Sequence, residues 1–316
     1  MFRLIQNEWI KVFKRPGTYV MIGLLFLMVS AFAAYLKYDE SKQKGKQPTW
    51  EETVQADTAA LQKQLQEMPD MSKDRKEQIQ EEIKINDYRL AENVPLDTKT
   101  TMWSFVYNST TFLAFAGLFM IIIAAGIVAS EYTWGTIKLL LIRPLSRSKI
   151  LFSKYVTVLL FGLLMISILF LFSSLVGAIL FGTDGEKVHL AYEGGKVVEQ
   201  SLFFHLCKVY LLRSVDIFMI ATMAFMISAA FRNSSLAIGI SLFLLFMGGN
   251  VTMMIAMKYD WAKYSLFANT DLMQYETGRV IVEGMTLGFS ITVLAVYFII
   301  FHALAFFIFS KRDVAA

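Results

Sequence analysis

Residues able to do chemistry are sparse in this chain, and most gather in two places. From Glu131 onward an acid is followed at short range by Gly135 and Thr136, then by Arg143, Pro144, Ser146, Arg147 and Lys149. Further on, Arg213 and Asp216 stand three positions apart inside an otherwise apolar run, close enough to pair on one helical face. A charge near a bilayer centre costs about 2.5–3.5 kcal/mol on insertion scales. The pair therefore reads either as a structural ion pair near the outer end of a span or as part of a translocation path or gate. Neither set joins a nucleophile to a base. His189, His205 and His302 lie far apart in sequence and outside any H-E-x-x-H pattern, and a single cysteine, Cys207, excludes an internal disulfide framework and a Cys-rich metal site. No catalytic or metal-binding residue is expected. With no G-x-x-x-x-G-K-S/T phosphate loop, the chain is expected to bind no ATP and no cofactor of its own.

Six apolar stretches carry these residues, at 18–36, 105–130, 155–181, 209–231, 233–257 and 284–310. Each is close to the roughly 20 residues that cover about 30 Å of hydrocarbon. In that medium every peptide group must bond within its own segment, so all six are predicted to be helices. The composition agrees: 56% hydrophobic, 14% aromatic and a mean hydropathy of +0.51 exceed what a soluble domain carries. The expected fold is an all-α, polytopic membrane protein with six transmembrane helices, a single domain over 1–316.

Charge placement orients it. Arg3, Lys11, Lys14 and Arg15 stand against Glu8 before the first span, and Lys138, Arg143, Arg147, Lys149 and Lys154 against Glu131 between the second and third. Arg232 follows the fourth span, and Lys311 and Arg312 the sixth. The connection 37–102 holds 11 basic and 14 acidic residues, and the loops 182–208 and 258–283 hold 3 basic and 4 acidic each. The positive-inside rule then puts both termini in the cytoplasm of a cell with this chain in its cytoplasmic membrane. Trp103, Trp134 and Trp261 near span ends suit an interfacial belt. A cleavable signal ending near Ala31-Phe32-Ala33 is the competing reading of the N-terminus, but the apolar run is longer than a usual signal core, so the segment is expected to be retained.

Residues 1–16 form an amphipathic segment, with Phe2, Ile5, Trp9, Val12 and Phe13 on one face and the cations largely elsewhere, suited to lie in the plane of the inner interface. The loop 37–102 reads as an extracytoplasmic helical hairpin. Thr49 and Glu52 have capping-box spacing, Val54, Leu61, Leu65 and Met68 follow at helical intervals, and after a break at Pro69 a second stripe runs through Ile79, Ile83 and Leu90. Small residues four apart, Ala125 with Ala129, Gly126 with Ser130 and Ser173 with Gly177, would let spans approach closely, within the chain or between two copies. Gly248-Gly249-Asn250 is a candidate kink in the fifth span.

The connection 131–154 is the most specific local signal: a short helix stopped by Pro144, then a new start at Ser146 or Ser148 into the third span, making a basic elbow. In its order of Glu131, Gly135, Thr136, the aliphatic run Leu139 to Ile142, Pro144, Ser146, Arg147 and Lys154, the sequence resembles the permease subunits of ABC type-2 transporters. The resemblance extends to the amphipathic start, the six spans and the mixed connection between spans five and six. It implies two separate ATP-binding subunits carrying ATP and Mg, and a second permease copy or paralogue. It further implies that the elbow, through Glu131, Gly135, Thr136, Arg143, Pro144, Ser146, Arg147 and Lys149, is the surface on which the ATPase acts. The implied function is export of a hydrophobic or amphipathic compound such as a drug, a peptide antibiotic or a lipid-like molecule, with resistance as its consequence. The alternative is a membrane sensor or anchor that binds an ATPase without moving substrate. An ion-driven transporter and a membrane enzyme fit less well, since only Arg213 and Asp216 offer intramembrane charge and no inverted repeat is evident.

Overall fold

The computed structural model describes residues 1–42, 48–68, 73–97, 99–137, 145–185, 188–231, 233–277 and 280–311. Twelve α-helices are described there, six of them long and apolar enough to cross a membrane once α5 and α6 are taken as one span. The order is α1 (Phe2–Phe13), α2 (Pro16–Lys42), α3 (Trp50–Glu67), α4 (Lys73–Ala91), α5 (Met102–Asn108) and α6 (Leu113–Thr133), the last two joined by a 3-10 turn at Ser109–Phe112. Then come α7 (Arg147–Phe181), strands β1 (Val188–Glu193) and β2 (Lys196–Ser201), α8 (Leu202–Ala230), α9 (Ser234–Ala256), two short helices α10 (Leu266–Asn269) and α11 (Gln274–Thr277), and α12 (Leu287–Lys311).

Local chemistry accounts for the boundaries. Thr49 and Glu52 form the expected reciprocal capping box on α3, and Thr101 with Ser104 makes a second on α5. Asn233 caps α9 through its side-chain oxygen, which accepts from the Leu236 amide at 3.1 Å. Proline opens α2, where its missing N–H leaves no bond unmade. The Thr18 hydroxyl then donates to the Val12 carbonyl at 2.5 Å and fixes the bend between α1 and α2.

The bundle is built around α6 and α8, the two most buried spans. Small side chains let their axes come close: Ala116, Ala124 and Ala125 of α6 and Ala221 and Ala224 of α8 are all buried in the core, and the Gly117 position is in contact with Ile217. Ser228 accepts from the amides of Val128 at 3.2 Å and Ala129 at 3.0 Å across this seam. All six small residues of the predicted spacing are buried, with Gly177 against Met102 and Phe105, so they serve contacts inside the chain. The α2 stripe of Leu25, Val29 and Ala33 faces inward, while Leu163, Leu171 and Ile179 of α7 and Phe243, Met254 and Phe307 of α9 and α12 lie exposed. Exposed apolar surface on that scale is what a lipid environment covers.

Several elements differ from expectation. The chain is mostly helical but not purely so: the polar connection before α8 is an antiparallel hairpin, with Val188 opposite Ser201 and Glu193 opposite Lys196. Its turn, Gly194-Gly195, has positive φ at both positions (58° and 87°), the pairing a tight right-twisted hairpin needs. Helix α7 begins at Arg147 rather than near 155, and α8 at Leu202 rather than 209. The span 105–130 begins at Met102 and is interrupted by the 3-10 turn. Helix α9 runs unbroken through Gly248-Gly249-Asn250, and no cap or 3-10 turn interrupts it there. Gly248 instead serves close approach, because the ring of Phe267 occupies the space a Cβ would need.

Candidate functional site

Glu131 sits in the last turn of α6, and its carboxylate is buried in protein rather than exposed. It meets Lys154, on the second turn of α7, whose Nζ donates to Glu131 Oε1 at 2.9 Å and to Glu8 Oε2 at 2.6 Å. Lys11 closes the set, donating to Glu8 Oε1 at 2.9 Å and to Glu131 Oε1 at 2.9 Å. The four residues come from α1, α6 and α7. Lys154 is wholly buried, Glu8 and Glu131 nearly so, and Lys11 reaches solvent in part. Two acids and two bases balance, and each carboxylate oxygen has a donor, the condition under which a buried ion set is tolerated.

The Gly135-Thr136 pair is explained by the same geometry. Helix α6 ends with the Trp134 amide on the Ser130 carbonyl, and Gly135 then turns the chain at φ 70°, a left-handed conformation that a Cβ opposes. This turn brings the Thr136 hydroxyl back onto Glu131 Oε2. Arg15 completes the surround, its guanidinium 4.9 Å over the Trp134 ring and its Nη2 3.4 Å from Ser130 Oγ. Burial lowers the Lys11 ammonium, but the bonds and charge of Glu8, then of Glu131, outweigh it and hold Lys11 above its ordinary 10.5. Arg15 is lowered chiefly by burial.

The rest of the elbow lies partly outside the described residues, Arg143 and Pro144 included. Ser146 precedes α7, its carbonyl taking the amides of Lys149 and Ile150. Lys149 is exposed, and Arg147 Nη1 donates to the Ser310 carbonyl at 3.1 Å, tying the start of α7 to the end of α12. Beside Lys154, Tyr155 joins three spans. Its hydroxyl lies 2.9 Å from Thr222 Oγ1 on α8, and its ring packs edge-on to His302 of α12 at 4.4 Å.

Sequence reasoning counted Glu8 and Lys11 only as charges before the first span and missed their partners. A signal was present: Glu8 falls between Ile5 and Val12 on the apolar face of α1, where an unpaired acid does not belong.

At the opposite end of the bundle, Arg213 and Asp216 line one cavity of about 510 Å³ with Thr110, Ile121, Leu245 and Asp271. No ion pair joins the two, and Arg213 Nε is buried without a hydrogen-bond partner. His189 and His205, distant in sequence, stack with ring centroids 3.5 Å apart, at the edge of a second cavity of about 390 Å³ lined also by Glu81, Glu82, Lys208 and Glu276. His189 is pushed down to about 4 by burial first and by His205 next. Among the described residues no group of three or more His, Cys, Asp or Glu side chains is arranged to hold a metal ion.

Two proteins of Bacillus subtilis (strain 168) are similar to this chain. One, described as uncharacterized protein YhcI, is 53% identical over 318 residues and the full length of both chains. The other, described as uncharacterized membrane protein YdbK, is 34% identical over 198 residues, 61% of this chain and 76% of that one. Six long apolar helices with exposed apolar faces, and a relative described as a membrane protein, make this a multi-pass membrane protein. Residues 78–315, most of the chain, match the family described as Protein of unknown function (DUF2705), and the chain belongs to that family.

Proposed function

We propose that this chain is the permease subunit of an ATP-driven exporter of the ABC type-2 kind, in the cytoplasmic membrane. It works with two separate ATPase subunits, which hold ATP and Mg, and with a second permease copy or paralogue. Both termini, α1 and the elbow lie on the cytoplasmic side, where Lys and Arg gather; the α3–α4 pair and the β-hairpin lie outside. The cargo is a hydrophobic or amphipathic compound, a drug, peptide antibiotic or lipid-like molecule, a choice resting on resemblance and on the apolar interior.

The observation that carries the reading is the buried set Glu8, Lys11, Glu131 and Lys154. It binds α1, the end of α6 and the start of α7 into one unit, from which the connection 138–144 departs and to which it returns. A displacement applied to that connection by an ATPase cannot be taken up by one helix sliding on another without separating buried charges. It is passed instead to two spans together, and α6 carries it to the centre of the bundle. Such a unit is the rigid part that a nucleotide-driven two-state movement requires.

The test is purification of the full chain from its own membranes in mild detergent, followed by an ATP hydrolysis assay. Co-purifying ABC ATPase subunits, with transport after reconstitution that stops when hydrolysis is blocked, are the expected result. ATPase binding with no movement of any amphipathic cargo supports a sensor or anchor, and absence of any ATPase removes both readings.

A further inference from the structure

The cavity between α6, α8 and α9 has a polar end and an apolar end. Its lining runs from Thr110 and Thr111 in the 3-10 turn down α6 to Ile121, eleven residues or about 16 Å. Along α8 it runs in the same sense, from Arg213 and Asp216 to Ile217 and Ile220. Asp271, in the turn before α11, adds a second carboxylate at the polar end, its Oδ1 accepting from the Met273 amide at 3.0 Å. A volume of about 510 Å³ is that of a small-molecule site rather than a packing defect.

The polar end is incomplete as it stands. Arg213 makes no ion pair among the described residues and has a buried Nε without an acceptor, although Asp216 lies one helical turn away. Asp216 and Asp271 both line this end of the cavity. One cation and two carboxylates facing one space match neither a simple anion, which the carboxylates repel, nor a simple cation, which Arg213 repels. They match a head group bearing both signs. The lining below, Ile121, Ile217, Ile220 and Leu245, suits an alkyl or aryl tail.

We propose that this cavity binds a zwitterionic amphiphile, its anionic group on Arg213, its ammonium between Asp216 and Asp271, and its tail directed along α6 toward Ile121. As a statement about cargo this rests on the exporter reading; as a statement about binding it stands alone. Such a head occurs on an aminophospholipid and on a free apolar peptide, and the probes separate the two.

The test uses the purified full chain in maltoside detergent, with binding followed by native mass spectrometry. Probes are lysophosphatidylethanolamine for the lipid source and the dipeptide leucyl-phenylalanine for the peptide source. Lysophosphatidylglycerol and dodecylamine are the single-sign controls. One zwitterion should bind at least about tenfold more tightly than both controls, and Arg213→Gln and Asp271→Asn should each weaken it by about tenfold or more. Asp271 is exposed, so its variant tests the site even if Arg213→Gln folds poorly. Equal binding of zwitterions and controls, no binding at all, or unchanged binding by a folded Asp271→Asn variant would overturn the proposal. No ATPase enters this experiment, so failure here leaves ATP coupling untouched, and failure of coupling leaves the binding result intact.

Discussion

Lys154 Nζ lies 2.6 Å from Glu8 Oε2, joining positions 146 residues apart and pinning together two helices that also share the apolar core through Val12 and Leu151. Lys154 is wholly buried and makes its second bond to Glu131, so this one ammonium holds α1 and the end of α6 against α7. An ammonium so placed needs a carboxylate partner to offset its burial, and here it has two.

Replacement of Lys154 by Met should therefore destabilise the protein by about 3–5 kcal/mol, because Glu8 and Glu131 lose the buried ammonium that bonds to both and keep Lys11 as their remaining ion-pair partner, with Arg15 nearby. The double variant Glu8→Leu with Lys154→Met keeps the balanced Lys11–Glu131 pair and should be the more stable of the two. Thermal unfolding in detergent with a common additive set checks the order. A double variant as unstable as the sum of its single changes would mean that the two residues act independently.

Gly135→Ala should cost about 1–2 kcal/mol, since φ at this position is 70° and an alanine resists the left-handed region. If the turn exists to bring Thr136 onto Glu131, the combination of Gly135→Ala with Thr136→Val should cost less than the two single changes added. Strict additivity would assign the glycine to the turn alone.

Gly248→Val places two methyl groups where the Phe267 ring stands, and overpacking of this kind costs about 1–3 kcal/mol. The effect should be local, with faster hydrogen exchange at Asp260–Tyr264 and Leu266–Asn269 and little change on α7. Gly249→Val, with open space at its Cβ position, is the matched control and should be tolerated.

Acid should loosen the β-hairpin. His189 titrates at about 4 while docked, against an ordinary 6.5 when released, so the released form takes up more protons between these values. Docking is at full strength above about pH 6.5 and weakens as pH falls toward 4. The charged neighbours are His205 and Lys208 on α8, Glu276 on α11, Arg89, Glu81 and Glu82 on α4, and Glu193 on β1. Lys208 already pairs with Glu276 at 2.9 Å, which leaves that carboxylate less free to stabilise a histidinium. Exchange of the Val188–Ser201 amides, corrected for intrinsic chemistry, should rise across that window. His189→Phe should flatten the response, and a parent protein with no rise would assign the stack no role in docking.

Much of the fold is legible from one-dimensional pattern. Span number follows from apolar length, and the Thr49–Glu52 cap follows from spacing, because both are local properties. The β-hairpin was legible too: Gly194-Gly195 between short runs containing Val, Leu and Tyr is a hairpin signal, but the sequence reading used 182–208 only for its charges. The ends of α7 and α8 were placed too late because Lys149, Lys154, His205 and Lys208 end an apolar window without ending a helix. The buried set was half legible. Glu131 and Lys154 stood out by order along the chain, but Glu8 and Lys11 acquire their meaning only when α1 folds back on α7, a contact no local pattern encodes. The two histidines were judged far apart for the same reason.

The coupling role is tested most directly in proteoliposomes containing this chain and its co-purified ATPase, comparing parent protein with Glu8→Gln. The substitution removes one charge from the buried set, keeps its shape and leaves the elbow surface untouched. The account predicts that the ATPase still binds and hydrolyses ATP while cargo movement per ATP falls by about tenfold or more, the signature of a transmission broken between intact parts. A stably folded Glu8→Gln protein that moves cargo at the parental ratio would contradict it.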